Sequence, residues 1–255
     1  MTFFAATGVT RQFAGLLALD DVTFAVQEGE IVGLIGPNGA GKSTCFNVIT
    51  GALKPNRGQV EFRGEDITGL RSDRIARRGI CRTFQNTAAF MGLTVRENAL
   101  AACYLRSRAG IVPALLGLRR SRDEAARFAD DVDTVLATVG LTDVADTRAA
   151  DLPYGLLRLL GIATALATQP RLLLMDEPAA GLNPTESAAL VSVSRKLRDR
   201  GLTILLVEHD MKVIMDVCDR IVVLAHGRVI ADGSPATVRS NPQVIASYLG
   251  ARHQA

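Results

Sequence analysis

The chain has 255 residues, 48% of them apolar and 22% charged, enough to bury a sizeable core within one domain. Its net charge of only +3 lacks the basic footprint of a nucleic-acid binder, and no apolar run reaches the ~18 residues that span a bilayer. Met1–Ala6 is too short and uncharged for a signal peptide, and Cys45, Cys81, Cys103 and Cys218 show no C-x-x-C spacing, as expected of small buried hydrophobes in a reducing cytosol.

Val9–Phe13 and Val22–Val26 predict strands leading into the core, the second with alternating character. Glu30–Ile35 is a short apolar run that reads as a buried strand. Gly36-Pro37-Asn38-Gly39-Ala40-Gly41-Lys42-Ser43-Thr44 follows it and fits G-x-x-x-x-G-K-[S/T], and Thr44–Ile49 continues as a helix. A strand, a glycine loop and a helix start aim backbone N–H groups at an anion, and the helix dipole and Lys42 add to them. Glycines are needed because a Cβ would keep the backbone from closing around phosphates. Ser43 offers its hydroxyl to Mg²⁺. These residues imply a nucleoside triphosphate ligand.

Gly58–Gly64 and Ile80–Phe84 predict two further strands, the second ending at Gln85. From about residue 87 to 169 the pattern turns helical. Ser121-Arg122-Asp123-Glu124 reads as a capping box, and Ala125, Phe128, Ala129, Val132, Val135, Leu136 and Val139 form one apolar stripe behind it. Ala109–Leu118 is apolar and followed by Arg119-Arg120; it either packs inside this helical stretch or touches a membrane subunit or lipid headgroups. Strands return at Leu172–Met175, Thr203–Val207 and Ile221–Leu224. Between the first two lies a helix from about Pro184 to Arg200, with Asn183 as cap, Pro184 in the first turn and Glu186 at the box position. Strands alternating with helices and apolar on both faces imply a parallel sheet covered on both sides. The helical stretch is then an insertion into an α/β core: catalytic core 1–86 and 170–240, helical subdomain 87–169, and a short helix with a frayed end at 241–255.

Asp176 ends the apolar strand, which puts its carboxylate beside the phosphate loop, where ligands gather in open parallel sheets. It is the candidate to hold Mg²⁺ together with Ser43, and Glu177 is the candidate general base for the attacking water. Gln85, also at a strand end, is placed to contact Mg²⁺ or that water. His209, just past Thr203–Val207, is placed to donate to the γ-phosphate. His226 lies in an Ala-His-Gly turn and His253 in the tail, so neither has a claim.

Gly36–Thr44, Gln85, Leu152–Arg158, Leu172–Glu177, Ala180-Gly181-Leu182-Asn183-Pro184 and His209 come in an order and spacing that resembles an ABC transporter ATP-binding subunit over nearly the whole chain. The resemblance is closest to those of bacterial branched-chain amino acid importers, through Arg82-Thr83-Phe84-Gln85-Asn86, Val207-Glu208-His209-Asp210-Met211 and Ser247-Tyr248-Leu249-Gly250. It implies a P-loop NTPase core with a mostly parallel sheet, an N-terminal antiparallel β subdomain and an inserted α-helical subdomain. ATP and Mg²⁺ are the implied ligands. The implied partners are a second ATP-binding subunit (the same chain or another), transmembrane permease subunits and, indirectly, a solute-binding protein. The implied location is peripheral, on the cytoplasmic face of the inner membrane. Each ATP lies between one chain's phosphate loop and the other's signature. Phe13 falls where the family places an aromatic that stacks on adenine, with a core phenylalanine as the alternative. Asn183 stands where many members carry an aspartate that talks across the dimer.

The signature departs from the family pattern Leu-Ser-Gly-Gly-Gln, which carries Tyr in the middle in this subgroup. Pro153 replaces the serine and Leu156 the glutamine, while Tyr154, Gly155 and Arg158 remain. A lost hydrogen bond to a charged group is worth ~1.5–3 kcal/mol, so the contact to the partner's ATP is expected to weaken. Pairing with a different ATPase subunit that carries a full signature would be one consequence, and a regulatory subunit that binds ATP without splitting it another; the retained Glu177 and His209 oppose the second. A soluble ABC ATPase acting on DNA would need a long coiled coil between Gln85 and the signature, and the interval 86–151 lacks sustained heptads. Ribosome-acting relatives carry two cassettes in one chain, and this chain has one.

Overall fold

The computed structural model describes residues 2–83, 89–107 and 119–251, with backbone only at 119–121 and 249–251. Gln85 and the apolar stretch at 109–118 therefore lie outside the described residues, as does His253.

Two sheets organise the chain. β1 (Phe4–Phe13), β2 (Leu16–Val26), β4 (Arg57–Phe62) and β5 (Glu65–Asp66) form an antiparallel sheet in the order β2-β1-β4-β5. β3 (Ile31–Ile35), β6 (Ile80–Thr83), β7 (Leu172–Asp176), β8 (Thr203–Val207), β9 (Arg220–Ala225) and β10 (Arg228–Gly233) form the second, in the order β10-β9-β3-β8-β7-β6. Its pairs are parallel except β9 with β10. β1 starts five residues before the expected Val9 because Gly8, at φ 63, sits in a bulge inside the strand and does not bound it. β10 was not expected from the sequence. It is a half-exposed edge strand, joined to β9 through His226 and Gly227, whose φ values of 48 and 77 suit a tight hairpin.

The apolar runs of the second sheet are buried on both faces, and alternate residues serve different cores. Val32, Leu34, Leu172, Leu174, Leu205, Val207, Val222 and Leu224 pack with the antiparallel sheet and helix α1 (Lys42–Ile49). Ile31, Ile35, Leu173, Met175, Ile204, Leu206, Ile221 and Val223 pack with the helices of the opposite face. Those are α3 (Val95–Cys103), α4 (Arg119–Val139), α5 (Tyr154–Ala167), α6 (Pro184–Asp199) and α7 (Met211–Val217). The short helices α2 (Ser72–Arg77), α8 (Pro235–Arg239) and α9 (Pro242–Ala251) complete the described α-helices.

Helix starts follow local chemistry. Asn183 and Glu186 form the expected capping box of α6, and Thr94 with Glu97 forms another at α3. The box expected at Ser121–Glu124 is a correction: the backbone is already helical at Arg119, so Ser121 lies inside the helix, and Glu124 accepts from Ser107 Oγ at 2.7 Å. The expected apolar stripe of this helix is buried at Phe128, Val132, Leu136 and Val139 and half-buried at Ala129 and Val135, while Ala125 in its first turns is exposed. Cys45, Cys103 and Cys218 are buried free thiols and Cys81 is half-buried; burial pushes Cys45 up to about 12, which keeps it inert.

Candidate active site

Sheet register aligns the site. Leu34 on β3 pairs with Val207 on β8, and Val207 pairs with Asp176 on β7. The segments that leave these strands (36–44, 177 onward, 208 onward) therefore depart from one edge, as expected of parallel strands.

The loop after β3 is tightly seated. Gly36 has φ 154, and a Cβ there would stand 2.1 Å from the Leu224 carbonyl oxygen. At Gly41, φ 104, a Cβ would meet the Ala18 carbonyl oxygen at 2.5 Å. Gly227 N–H donates to the Ala40 carbonyl at 3.1 Å, so the β9–β10 turn braces the loop from outside. Burial raises the pKa of Tyr248 on α9, and the nearby Gly36 backbone opposes that rise. Asn38 and Gly39 are exposed at the tip, and α1 begins at Lys42, with Ser43 exposed and Thr44 half-buried in its first turn. No side chain caps this helix start. Lys42 Nζ donates to the carbonyls of Gly36 at 2.6 Å and Pro37 at 3.0 Å. Burial pushes its ammonium below the ordinary range, opposed by the charges of Glu177 and Asp176, which lie close enough to be felt.

Glu177 follows β7 at φ 47, a left-handed backbone that a glutamate adopts only under constraint. Its N–H still donates to the Val207 carbonyl at 2.8 Å. Its Oε1 lies 2.6 Å from His209 Nε2; the carboxylate accepts, so this ring nitrogen carries the proton. The sequence placed these two groups in separate roles and did not foresee their contact. Glu208 ties their backbones together. Its buried carboxylate accepts from Ala179 N at 2.5 Å and from His209 N at 3.0 Å. Burial raises its pKa, and the backbone N–H groups of Ala179, His209 and Asp210 oppose that rise. Its only sequence signal was a carboxylate at the end of an apolar strand.

Asp176 is buried at the end of β7, and its Oδ2 accepts from Arg82 at 2.5 Å. Arg82 also donates to Asn47 Oδ1 on α1 at 2.7 Å, and its guanidinium lies 5.7 Å from the Phe46 ring centre. Sequence reasoning used Arg82 only as a family pointer. Parity would have found it: Arg82 pairs with Leu174, and Asp176 projects from the same face as Leu174 two residues on.

Phe13 closes β1 with 38% of its surface exposed and the Arg11 guanidinium 4.7 Å from its ring centre. It is not a core residue. The segment 152–158 packs inward more than outward. Pro153 precedes α5 as a cap without a side-chain hydrogen bond. A Cβ on Gly155 would meet Glu186 Oε1 at 2.4 Å. Arg158, 8% exposed, donates to the Tyr154 hydroxyl and lies over its ring at 4.9 Å. Tyr154, half exposed, donates to the Ala180 carbonyl at 3.2 Å. Asn183 accepts from Glu186 N at 3.0 Å as the cap of α6.

The ABC transporter family matches residues 19–180, which span the phosphate loop, Asp176 and Glu177. The chain belongs to this family. Residues 228–254 match a second description, branched-chain amino acid ATP-binding cassette transporter. The high-affinity branched-chain amino acid transport ATP-binding protein BraF of Pseudomonas aeruginosa is 44% identical over 96% of each chain. A probable branched-chain amino acid transport ATP-binding protein, LivG of Archaeoglobus fulgidus, is 34% identical over 99% of this chain and 97% of its own. Among solved structures, an ATP-binding cassette of an ABC transporter in its ADP conformation aligns with TM-score 0.86 and 31% identity, over 98% of this chain and 99% of that one. As a member of the family, the chain is an ATP-binding ATPase. Among the described residues no helix is long and apolar enough to cross a membrane.

Proposed function

We propose that this chain hydrolyses ATP to power the import of branched-chain or other hydrophobic amino acids. The observation that carries hydrolysis is the pairing of Glu177 with His209 at 2.6 Å, on the sheet edge that also bears the Lys42 loop. The solute class rests on the names of the relatives and on the match at 228–254.

Gly36, Asn38, Gly39, Ala40, Gly41, Lys42, Ser43 and Thr44 bind the phosphates through backbone N–H groups, the uncapped start of α1 and the Lys42 ammonium. The Lys42 ammonium gives two of its three N–H groups to the carbonyls of Gly36 and Pro37, which leaves one for a phosphate. Phe13 offers its exposed face to the adenine. Ser43 and Asp176, with Gln85, are the hard oxygen donors that suit Mg²⁺, and the cradle that no Cβ enters at Gly36 and Gly41 fits the phosphates it would accompany. Bound there, Mg²⁺ would offset phosphate charge. Glu177 takes the proton from the attacking water, and His209, released from Glu177, donates to the γ-phosphate.

We read the chain as a single ATP-binding domain: core 1–86 and 170–240, helical subdomain 87–169, and tail 241–255. It works with a second ATP-binding subunit and with transmembrane permease subunits, reached indirectly by a solute-binding protein, at the cytoplasmic face of the inner membrane. Tyr154 and the uncapped start of α5 face the partner's ATP. Gly155 and Arg158 support them from within, and Asn183 holds the adjoining helix start. Nucleic acid has no part in this reading. The test is uptake of labelled leucine, isoleucine and valine in cells lacking the chain. Wild-type protein is expected to restore uptake and Lys42→Ala to leave it at background; restoration by both would contradict the proposal.

A further inference from the structure

We propose that Arg82 is a resident cation that competes with Mg²⁺ for Asp176 and so sets the Mg²⁺ concentration at which the site loads. The inference rests on the reading above that Asp176 serves the metal. Its ground is the juxtaposition of one guanidinium with both elements that would supply the metal's donors. One arm of Arg82 donates to Asp176 Oδ2 at 2.5 Å and the other to Asn47 Oδ1 at 2.7 Å. Asn47 lies four residues after Ser43 on α1, so the two share a helix face. The arginine thus bridges the Ser43 face of α1 to the carboxylate at the end of β7. Both charged side chains are largely withdrawn from water, at 16% exposed for Arg82 and 11% for Asp176, so solvent screens their attraction weakly.

A buried carboxylate needs a countercharge. Without metal, Arg82 supplies it, and a divalent ion arriving at Asp176 meets a carboxylate already neutralised and a like charge beside it. The arginine does not lose every partner when the metal takes over. Asn47, a neutral acceptor, and the face of Phe46 at 5.7 Å hold the guanidinium in place. Its Nε is buried and finds no partner among the described residues, so the pairing with Asp176 leaves the guanidinium incompletely satisfied. Arg82 is a positioning residue: it acts through Asp176.

The test titrates Mg²⁺ into the full-length chain loaded with a fluorescent ADP analogue, for wild type, Arg82→Gln, Arg82→Lys and Asp176→Asn. Arg82→Gln is expected to lower the Mg²⁺ concentration at half-effect about tenfold, the equivalent of ~1.4 kcal/mol. Its affinity for the analogue in excess chelator stays at the wild-type value. Arg82→Lys, which keeps the charge and loses the fork, falls between the two and serves alone if the glutamine variant does not fold. An unchanged or raised half-effect concentration in the Arg82 variants overturns the proposal; a raised one marks Arg82 as a group that orients Asp176 for the metal. Should Asp176→Asn keep the wild-type Mg²⁺ dependence, the metal assignment of Asp176 itself fails and this proposal with it. That outcome is distinguishable because it appears in the Asp176 variant.

Discussion

Glu177 Oε1 and His209 Nε2 stand 2.6 Å apart, although 32 positions separate them in the chain. The contact arises because β7 and β8 are parallel neighbours that end level with each other, at Asp176 and Val207. The left-handed backbone at Glu177 is part of the same arrangement. In the proposed roles of base and phosphate donor, the contact between the two groups would hold both ordered until a phosphate separates them.

The buried Glu208 makes that arrangement sensitive to substitution and to pH. Glu208→Ala removes the acceptor for the N–H groups of Ala179 and His209, and is expected to lose about 2 kcal/mol of stability, read by urea denaturation. The folded-state pKa of Glu208 is raised above the ordinary 4.5. Its contribution is therefore fully present below 4.5 and lost as pH rises through the folded value. The stability of wild type relative to Glu208→Gln should then increase as pH falls toward 4.5. A difference that does not vary with pH would remove the account of Glu208.

Gly36 and Gly39 separate crowding from backbone strain. A Cβ at Gly36 would meet a carbonyl oxygen at 2.1 Å, whereas at Gly39, φ 77, nothing lies within 4 Å. Gly39→Ala is expected to lose ~1 kcal/mol from its left-handed backbone alone. Gly36→Ala should lose about 3 kcal/mol or more, since the neighbouring backbone must also move, and nucleotide affinity with it. Equal losses in the two variants would contradict the seating of the loop.

The sequence showed most where one residue type serves one need. The glycines and Lys42 of the loop, the apolar runs of β3, β7 and β8, and the Asn183–Glu186 cap were all legible because local chemistry dictates each. Hidden were the features created when distant strands meet. Arg82 with Asp176, Glu177 with His209, and Glu208 across to Ala179 are register relationships between parallel neighbours β6, β7 and β8, whose residues lie far apart along the chain. β1 begins earlier than the sequence placed it, with Gly8 in a bulge within the strand, and β10 was missed because an edge strand mixes polar with apolar residues. Gln85 lies outside the described residues, so its role rests on the sequence.

Pro153 caps α5 without a side-chain hydrogen bond, at φ −55 and ψ 151, a conformation serine also adopts at a cap. Pro153→Ser should gain ~1 kcal/mol from the new cap and lose ~0.4–1 kcal/mol as the unfolded chain gains freedom. Stability is expected to stay nearly level in thermal melts. If the weakened signature limits the homodimer, the ATP turnover of the variant alone rises, whereas turnover of wild type mixed with a full-signature partner already exceeds that of wild type alone. A homodimer as fast as the mixed pair would contradict the asymmetry.

Hydrolysis by Glu177→Gln tests the chemistry most directly. Steady-state phosphate release is expected to fall at least about 100-fold, while Mg²⁺-dependent ATP binding persists and an ATP-bound dimer accumulates in size-exclusion chromatography. Phosphate release at the wild-type rate, with no dimer trapped, would show that another group activates the water.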